Sequence, residues 1–329
     1  MNGSATDRNG SATLVLVALA AALGPFGPAA PARGAVREAS AVRPQTETRL
    51  PAPPAARTAL AGRAVQPAAR ALPDREEFIA RVRAALRTDR QLQAQYTFLE
   101  RREEVEVSKL GKVKDGPVKV YEVYPSVEPG NTYKRLISVD GRRLSDAELE
   151  KNDRIHQQHI LERLNESPEE KARRARDEAN KRAEDQRAID ELFALYDITL
   201  VRREVIDGHP TVLASLEPRR QYKPRTDEGK VMKKFRARAW VHEHEYQVVR
   251  VEVEAVENIG YGLGVIGKVY KGTEGEFVRT KVNGEVWLPA RARLTATGRV
   301  LFRKFAVDSV TEWWDYKKFS VSTTEETRR

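Results

Sequence analysis

From Ile198 onward apolar and polar residues alternate nearly one for one. Phe235, Ala237, Ala239 and Val241 share one parity, and Arg236, Arg238 and Trp240 the other. Val249, Val251, Val253 and Ala255 alternate with Arg250, Glu252 and Glu254, and Val286, Leu288, Ala290, Ala292 and Leu294 with Trp287, Arg291 and Arg293. A period of two with one apolar and one polar face belongs to an antiparallel sheet wetted on one side. The same pattern predicts strands over 96–107, 113–124, 133–139, 198–206 and 211–216. A turn at Asp115-Gly116-Pro117 interrupts the second of these. Further turn signals stand at Pro129-Gly130-Asn131, Asp140-Gly141, Asp207-Gly208, Asn283-Gly284, Gly298 and Asp308. The expected fold is mainly β (α+β): a large curved antiparallel sheet or half-barrel of about 9–11 strands with covering helices.

Helical spacing occurs in two places. Asp74 is a suitable N-cap with Glu77 three positions on. Phe78, Ile79, Val82 and Leu86 then mark an amphipathic helix from 75 to about 90. Ser145-Asp146-Ala147-Glu148 and Ser167-Pro168-Glu169-Glu170 both read as capping boxes and open a helical insertion over about 145–195. Its second half carries only a narrow alanine stripe, Ala172, Ala175, Ala179 and Ala183, which suits a solvated helix resting lightly on a neighbour. Ile189, Leu192, Phe193 and Leu195 give that helix a buried end.

Composition sets the domain plan. The apolar run Leu14–Leu23 is about half the length of a bilayer-spanning helix and precedes Ala30-Pro31-Ala32, a small-x-small cleavage pattern. Residues 1–32 therefore read as a secretory signal peptide, which places the protein in the periplasm. Residues 33–73 are rich in Pro and Ala, with seven arginines against Glu38 and Glu47, and contribute +5 of the net +10. That composition describes a disordered basic linker, whose charge could hold it near an anionic membrane face. The folded domain is expected over 74–322, with a flexible tail at 323–329. With no cysteine in the chain, disulfides, thiolate metal sites and a Cys nucleophile are excluded. Acids interleave with bases throughout 169–186, which argues against a nucleic-acid helix.

Catalytic signatures dissolve on inspection. Gly262-Leu263-Gly264-Val265-Ile266-Gly267 fits a dinucleotide fingerprint and a kinase glycine loop. The first needs a helix behind the glycines, where Gly272 and Gly275 interrupt the span. The second needs a catalytic Asp loop and a metal-binding Asp-Phe-Gly, and neither follows Lys281. Glycines in a β pattern more often mark bends or bulges. His242 and His244 would share one face, with Glu254 or His209 as conceivable third ligand, and His156 and His159 sit three apart on a helix. The helix pair at i, i+3 can also bind metal, but neither pair has the H-E-x-x-H form or a cysteine partner, and polar turn and helix-surface residues are the plainer reading. No metal, no cofactor and no enzyme activity is expected. Trp240 and Trp287 stand on the parity otherwise used by arginine, so they either pack beneath helices or line a surface that meets an apolar ligand.

The order of elements resembles the periplasmic outer-membrane lipoprotein carriers, the Lol-type β half-barrels, as a distant member. The resemblance runs through Tyr96-Thr97-Phe98, Leu136-Ile137-Ser138-Val139-Asp140-Gly141 and Ala239-Trp240-Val241. It continues through Tyr246–Val253 and Asn283-Gly284-Glu285-Val286-Trp287-Leu288-Pro289 to Trp314-Asp315-Tyr316-Lys317-Lys318-Phe319, covering roughly 74–322. The charged helices and the basic linker are additions to that pattern. The resemblance implies a concave apolar cavity, closed by helices, for a lipid or lipoprotein acyl group. Candidate lining residues are Tyr96, Phe98, Tyr121, Phe235, Trp240, Val249, Val251, Val253, Trp287, Leu288, Phe302 and Trp314. Two other readings stand beside it. One is an envelope sensor or protein-interaction module that uses the charged insertion and the linker. The other is a metal-dependent hydrolase using His242 or His244.

Overall fold

The structure is a computed structural model that describes residues 70–86, 90–108, 110–126, 132–261 and 267–319. The expected signal peptide, most of the linker, the turn at Pro129-Gly130-Asn131 and the tail lie outside these residues.

Among the described residues thirteen strands form one open sheet in which every pairing is antiparallel. From one edge to the other run β4 (Arg142–Arg143), β3 (Tyr133–Val139), β2 (Val113–Tyr124), β1 (Tyr96–Val107) and β13 (Arg303–Lys318). Then come β12 (Val286–Val300), β11 (Glu274–Val282), β8 (Val248–Ala255), β7 (Phe235–His242), β6 (His209–Pro218) and β5 (Tyr196–Ile206). The short β9 (Ile259–Tyr261) and β10 (Gly267–Val269) pair with each other, and β10 with the far end of β12. The count exceeds the 9–11 expected because β4, β9 and β10 are too short for alternation to register.

Three hairpins turn as their dipeptides dictate. Asp140-Gly141, Asp207-Gly208 and Asn283-Gly284 all hold φ between 49° and 82°, the left-handed pair that matches strand twist. Two expected breaks are not breaks. Asp115-Gly116-Pro117 stays inside β2, where the register shifts between Glu103 and Val105. The proline and glycine are absorbed as a bulge opposite Glu104 instead of reversing the chain. Gly298 and Asp308 likewise lie inside β12 and β13, and the reversal falls at Leu301 and Phe302, with Leu301 at φ 53°. Gly298 is flanked by both β10 and β13, and a Cβ there would meet the Phe305 ring at 2.7 Å. Its glycine serves a close approach, not a turn.

The helices are α1 (Arg75–Ala85), the single turn α2 (Arg90–Gln93), α3 (Asp146–Leu164), α4 (Pro168–Leu195) and α5 (Asp227–Met232). α1 stops at Ala85, short of the expected 90. Asp74 caps α1 by accepting from Glu77 N at 2.8 Å, but the Glu77 side chain turns to Arg81 instead of closing the box. Both boxes of the insertion are complete: Ser145 with Glu148, and Ser167 with Glu170. Each such cap is worth about 1 kcal/mol. The alanine stripe of α4 is exposed along its length. Contact with the α3 end is made instead by Arg174, which bonds Glu166 at 3.0 Å and Glu178 at 3.3 Å. No described helix is long and apolar enough to cross a membrane.

The main core lies where α1, the end of α4 and α5 cover β5, β6, β7 and β8. A second cluster holds Leu99, Ile137, Leu144 and Trp314 beneath Leu149 of α3. A third joins Tyr96 to Val286 and Leu288. The face of β7 and β8 opposite α1 carries an ion-pair lattice. Arg236 pairs with Glu254 at 2.5 Å, Arg238 with Glu252 at 2.6 Å and Arg250 with Glu276 at 2.7 Å.

Candidate functional site

The main core is not filled. Between α1 and the sheet lies a partly open apolar cavity of about 80 Å³. Its cause is a row of small side chains. Leu200, Ala214, Ala239 and Val251 are register partners across β5, β6, β7 and β8, and Ala237 sits one step along the same face. Two adjacent alanines opposite a helix leave space that leucines would occupy.

The roof is helical. Phe78, Ile79, Val82 and Leu86 line the cavity from α1 and the residue after it, and Ile189, Leu192 and Phe193 from the last turns of α4. Both sets follow the i, i+3, i+4 spacing that gathers side chains on one helix face. Tyr196 contributes only its ring, since its hydroxyl donates outward to Met232 O at 2.6 Å and contacts Phe235 O at 3.1 Å. Burial raises the pKa of that hydroxyl, so it stays neutral. Every lining side chain thus presents carbon to the cavity.

Polar contacts are confined to the rim. Arg75 Nε donates to Ile198 O at 2.9 Å, Arg83 to Asp190 at 2.5 Å, and Arg81 to the Tyr246 hydroxyl at 3.0 Å. Phe78 meets the Tyr246 ring edge-on at 5.5 Å. Gln247 Nε2 reaches Ala85 O at 3.3 Å. At the other wall, Glu191 of α4 is buried. Its carboxylate accepts from the backbone N–H of Arg225 and of Thr226, and from the hydroxyls of Thr226 and Tyr222. Burial works against its charge, but the hydrogen bonds from Thr226 and Arg225 outweigh it and hold its pKa low. These contacts tie the α4 wall to the start of α5.

The residues expected to line a cavity are dispersed. Val251 lines it, and Phe235 and Val253 belong to the surrounding core. Val249 is buried outside that cluster. Trp240 lies on the ion-pair face, beneath the guanidiniums of Arg250 (5.1 Å) and Arg238 (5.8 Å), with its Nε1 donating to Glu204. Arginine covers this tryptophan; neither a helix nor an open apolar surface does. Trp287 packs between His209 at 4.8 Å and His242 at 5.7 Å and donates to Glu245 at 2.8 Å. Tyr96 and Leu288 form their own cluster, Phe98 meets Tyr316 at 5.3 Å, and Trp314 sits beneath α3. Tyr121 is half-buried, its pKa pushed up to about 12 by burial and by Glu104. Phe302 stands at a hairpin tip, 96% exposed.

The histidines do not assemble a metal centre. His242 is buried and its Nδ1 accepts from Glu245 N at 3.1 Å. Its ring lies 5.8 Å from that of His209 and 6.1 Å from that of His244. Glu254 is engaged with Arg236. His156 stacks on Tyr133 at 4.0 Å. Among the described residues no group of three His, Cys, Asp or Glu is placed to hold a metal ion. Behind the glycine-rich segment comes strand β10, not the helix a dinucleotide site requires.

Neither a protein-family model nor a curated protein matches the chain. Solved structures do. One is an outer membrane lipoprotein-sorting protein domain from Vibrio parahaemolyticus, at 8% identity and TM-score 0.29, covering 76% of this chain and 93% of that one. A DUF1329 family protein from Desulfovibrio piger follows at 14% identity and TM-score 0.25, covering 73% and 92%. The MucA/MucB complex of Pseudomonas aeruginosa matches at 12% identity and TM-score 0.22, covering 74% and 94%. At such TM-scores none of them assigns a ligand or partner to this chain.

Proposed function

We propose that the chain is a non-enzymatic periplasmic carrier or binder that takes an acyl chain of a lipid or lipoprotein into the cavity beneath α1. The observation that carries this reading is the cavity's wall. Seventeen side chains line it and none turns a hydrogen-bonding group inward. Such a space offers a substrate neither acid, base nor nucleophile, and it selects by desolvation alone. Each methylene moved from water into it is worth ~0.8 kcal/mol. An acyl chain therefore binds without orienting groups, and release needs only a better apolar site elsewhere. In this reading Val251 is on the wall, and Phe235 and Val253 support it from behind.

Native purification followed by lipid extraction and mass spectrometry tests the reading, together with titration by a fluorescent fatty-acyl probe. A co-purifying acyl lipid, or saturable probe binding, supports it. A protein that carries no lipid and ignores the probe overturns it.

A second reading is an envelope protein-interaction module. It is favoured by Ile155, Leu161 and Leu164 of α3, which are 53%, 57% and 67% exposed, together with the exposed alanine face of α4. Pull-down from envelope extract with a chain lacking residues 36–70, and with Leu161→Lys/Leu164→Lys, separates the two. A carrier keeps its acyl probe in both variants, whereas a module loses its partner in at least one.

A further inference from the structure

One end of the sheet carries two large apolar side chains in open solvent. Phe302 is 96% exposed and Leu110 is 72% exposed. They belong to different hairpins, Leu110 to the turn between β1 and β2, and Phe302 to the loop between β12 and β13. The two tips are packed together through backbone. Gly111 is buried at φ 74°, and a Cβ on it would lie 2.7 Å from Val300 O and 3.3 Å from Val300 Cγ1. Only glycine allows that approach.

The β1–β2 tip is closed by its own hydrogen bonds. Ser108 N donates to Lys112 O at 2.8 Å, Lys112 N to Ser108 Oγ at 2.9 Å and Gly111 N to Ser108 O at 2.9 Å. Across from them Val300 pairs with Arg303 on one side and with Gly267 of β10 on the other. Leu110 and Phe302 therefore stand on two hairpins that meet at Gly111 and Val300.

The surrounding charge is basic. Lys112, Arg303 and Lys304 are exposed and Lys268 is half-buried. Among the described residues none of the four makes an ion pair with a carboxylate. Lys114 is matched by Glu106 at 2.7 Å, and Arg299 donates to Leu301 O at 2.8 Å. Glu104, Glu106 and Asp115 are the acids nearest the tip of the adjoining hairpin, and Glu104 and Glu106 are already paired with Lys119 and Lys114.

We propose that this end of the sheet docks on an anionic lipid bilayer. Phe302 and Leu110 enter the interfacial layer, and Lys112, Lys268, Arg303 and Lys304 lie against lipid phosphates. Protruding apolar tips ringed by cations fit a surface that yields to them and carries negative charge. A folded protein partner would need a pocket for each tip. None of these residues lines the cavity, and the inference stands whether or not the cavity binds an acyl chain.

Flotation of the full-length protein with vesicles tests it. Strong association is expected with phosphatidylcholine vesicles that include phosphatidylglycerol, weak association with phosphatidylcholine alone, and loss in high salt. Phe302→Ser with Leu110→Ser lowers the partition about tenfold or more. Arg303→Glu with Lys304→Glu reduces it to the level of neutral vesicles. Because the chain has no cysteine, Phe302→Cys gives a single position for an environment-sensitive dye, whose emission shifts to the blue on anionic vesicles. All these sites are exposed, so circular dichroism and Tm serve as controls for folding. Three results overturn the proposal: no association with anionic vesicles, association that survives both double variants, or a dye at position 302 that stays in water. Survival of binding in the double variants assigns it to the arginine-rich segment 33–73. Binding of an acyl probe is unchanged in these variants if the cavity reading holds, so the two ideas fail separately.

Discussion

Glu191 occupies the space that a side chain at Gly229 would need. A Cβ on Gly229 would fall against the Glu191 carboxylate, closer than such atoms approach. The same carboxylate holds the backbone N–H of Arg225 and Thr226 at the start of α5. One buried acid thus joins the helix that walls the cavity to the helix beside it, and Gly229 makes the room.

Glu191→Gln is expected to destabilise the fold by roughly 1–3 kcal/mol, the range for disrupting buried hydrogen bonds to a charged acceptor. The pH dependence follows from the depressed pKa of Glu191. Its contribution is complete above the unfolded value of about 4.3 and is lost as pH falls through the folded value. Urea denaturation over a pH series should show an acid limb in the native chain that flattens in Glu191→Gln. Identical limbs would mean that the carboxylate is not held as described.

Filling the alanine row should abolish ligand uptake without unfolding the protein. Ala239→Phe projects into the cavity between Ala214 and Val251. The void takes up most of the added volume, so stability is expected to change by less than about 1.5 kcal/mol. Affinity for an acyl probe should drop tenfold or more. A variant that binds the probe normally would place the ligand elsewhere.

Gly298→Ala should loosen β10 before it unfolds the sheet. The new methyl would strike the Phe305 ring and the Lys268 carbonyl, and β10 is held to β12 by only three register pairs. Overpacking of this kind costs about 1–3 kcal/mol. Hydrogen exchange at the Tyr270 amide, which donates to Thr297 O at 2.8 Å, is expected to accelerate well beyond amides of β6 and β7. Uniform acceleration across the sheet would contradict a local effect.

The α3 capping box makes a sharper titration claim. Bonds from Arg142 and from Ser145 bring the Glu148 pKa down to about 2. The lowered value means that the box is intact above about pH 4.3 and is lost only as pH falls towards 2. NMR titration of the Glu148 carboxyl should give that midpoint, and Arg142→Ala should move it upward. An ordinary midpoint in the native chain would remove the box from solution.

Much of the scaffold was legible because it is written locally. The Asn-Gly and Asp-Gly dipeptides each demand a left-handed pair, and Ser145 and Ser167 with their glutamates specify helix starts. The alternation at Phe235–Val241 sorts core from solvent without knowledge of any neighbour. The cavity was not legible in the same way. It is made by two alanines that become adjacent only through the register of β6 and β7, and by a helix whose position over them no local pattern encodes. Large aromatics drew attention instead, yet Tyr96, Trp287 and Trp314 spend their surface outside the cluster that α1 covers. Gly298 misled for a related reason: glycine marks both a reversal and a close approach, and only the presence of Phe305 and β10 tells them apart.

The placement of β13 has a consequence for the timing of synthesis. Among the described residues the first strand pairs with the last, Tyr96 opposite Lys318, and β13 stands between β1 and β12. Strands β1 to β4 can form hairpins early, but their open edge at β1 waits for a segment made more than two hundred residues later. Until then the chain exposes unpaired edges in the middle of its sheet. A polypeptide built this way stays open in the middle of its sheet until β13 has been made, so its four leading strands cannot settle ahead of the rest.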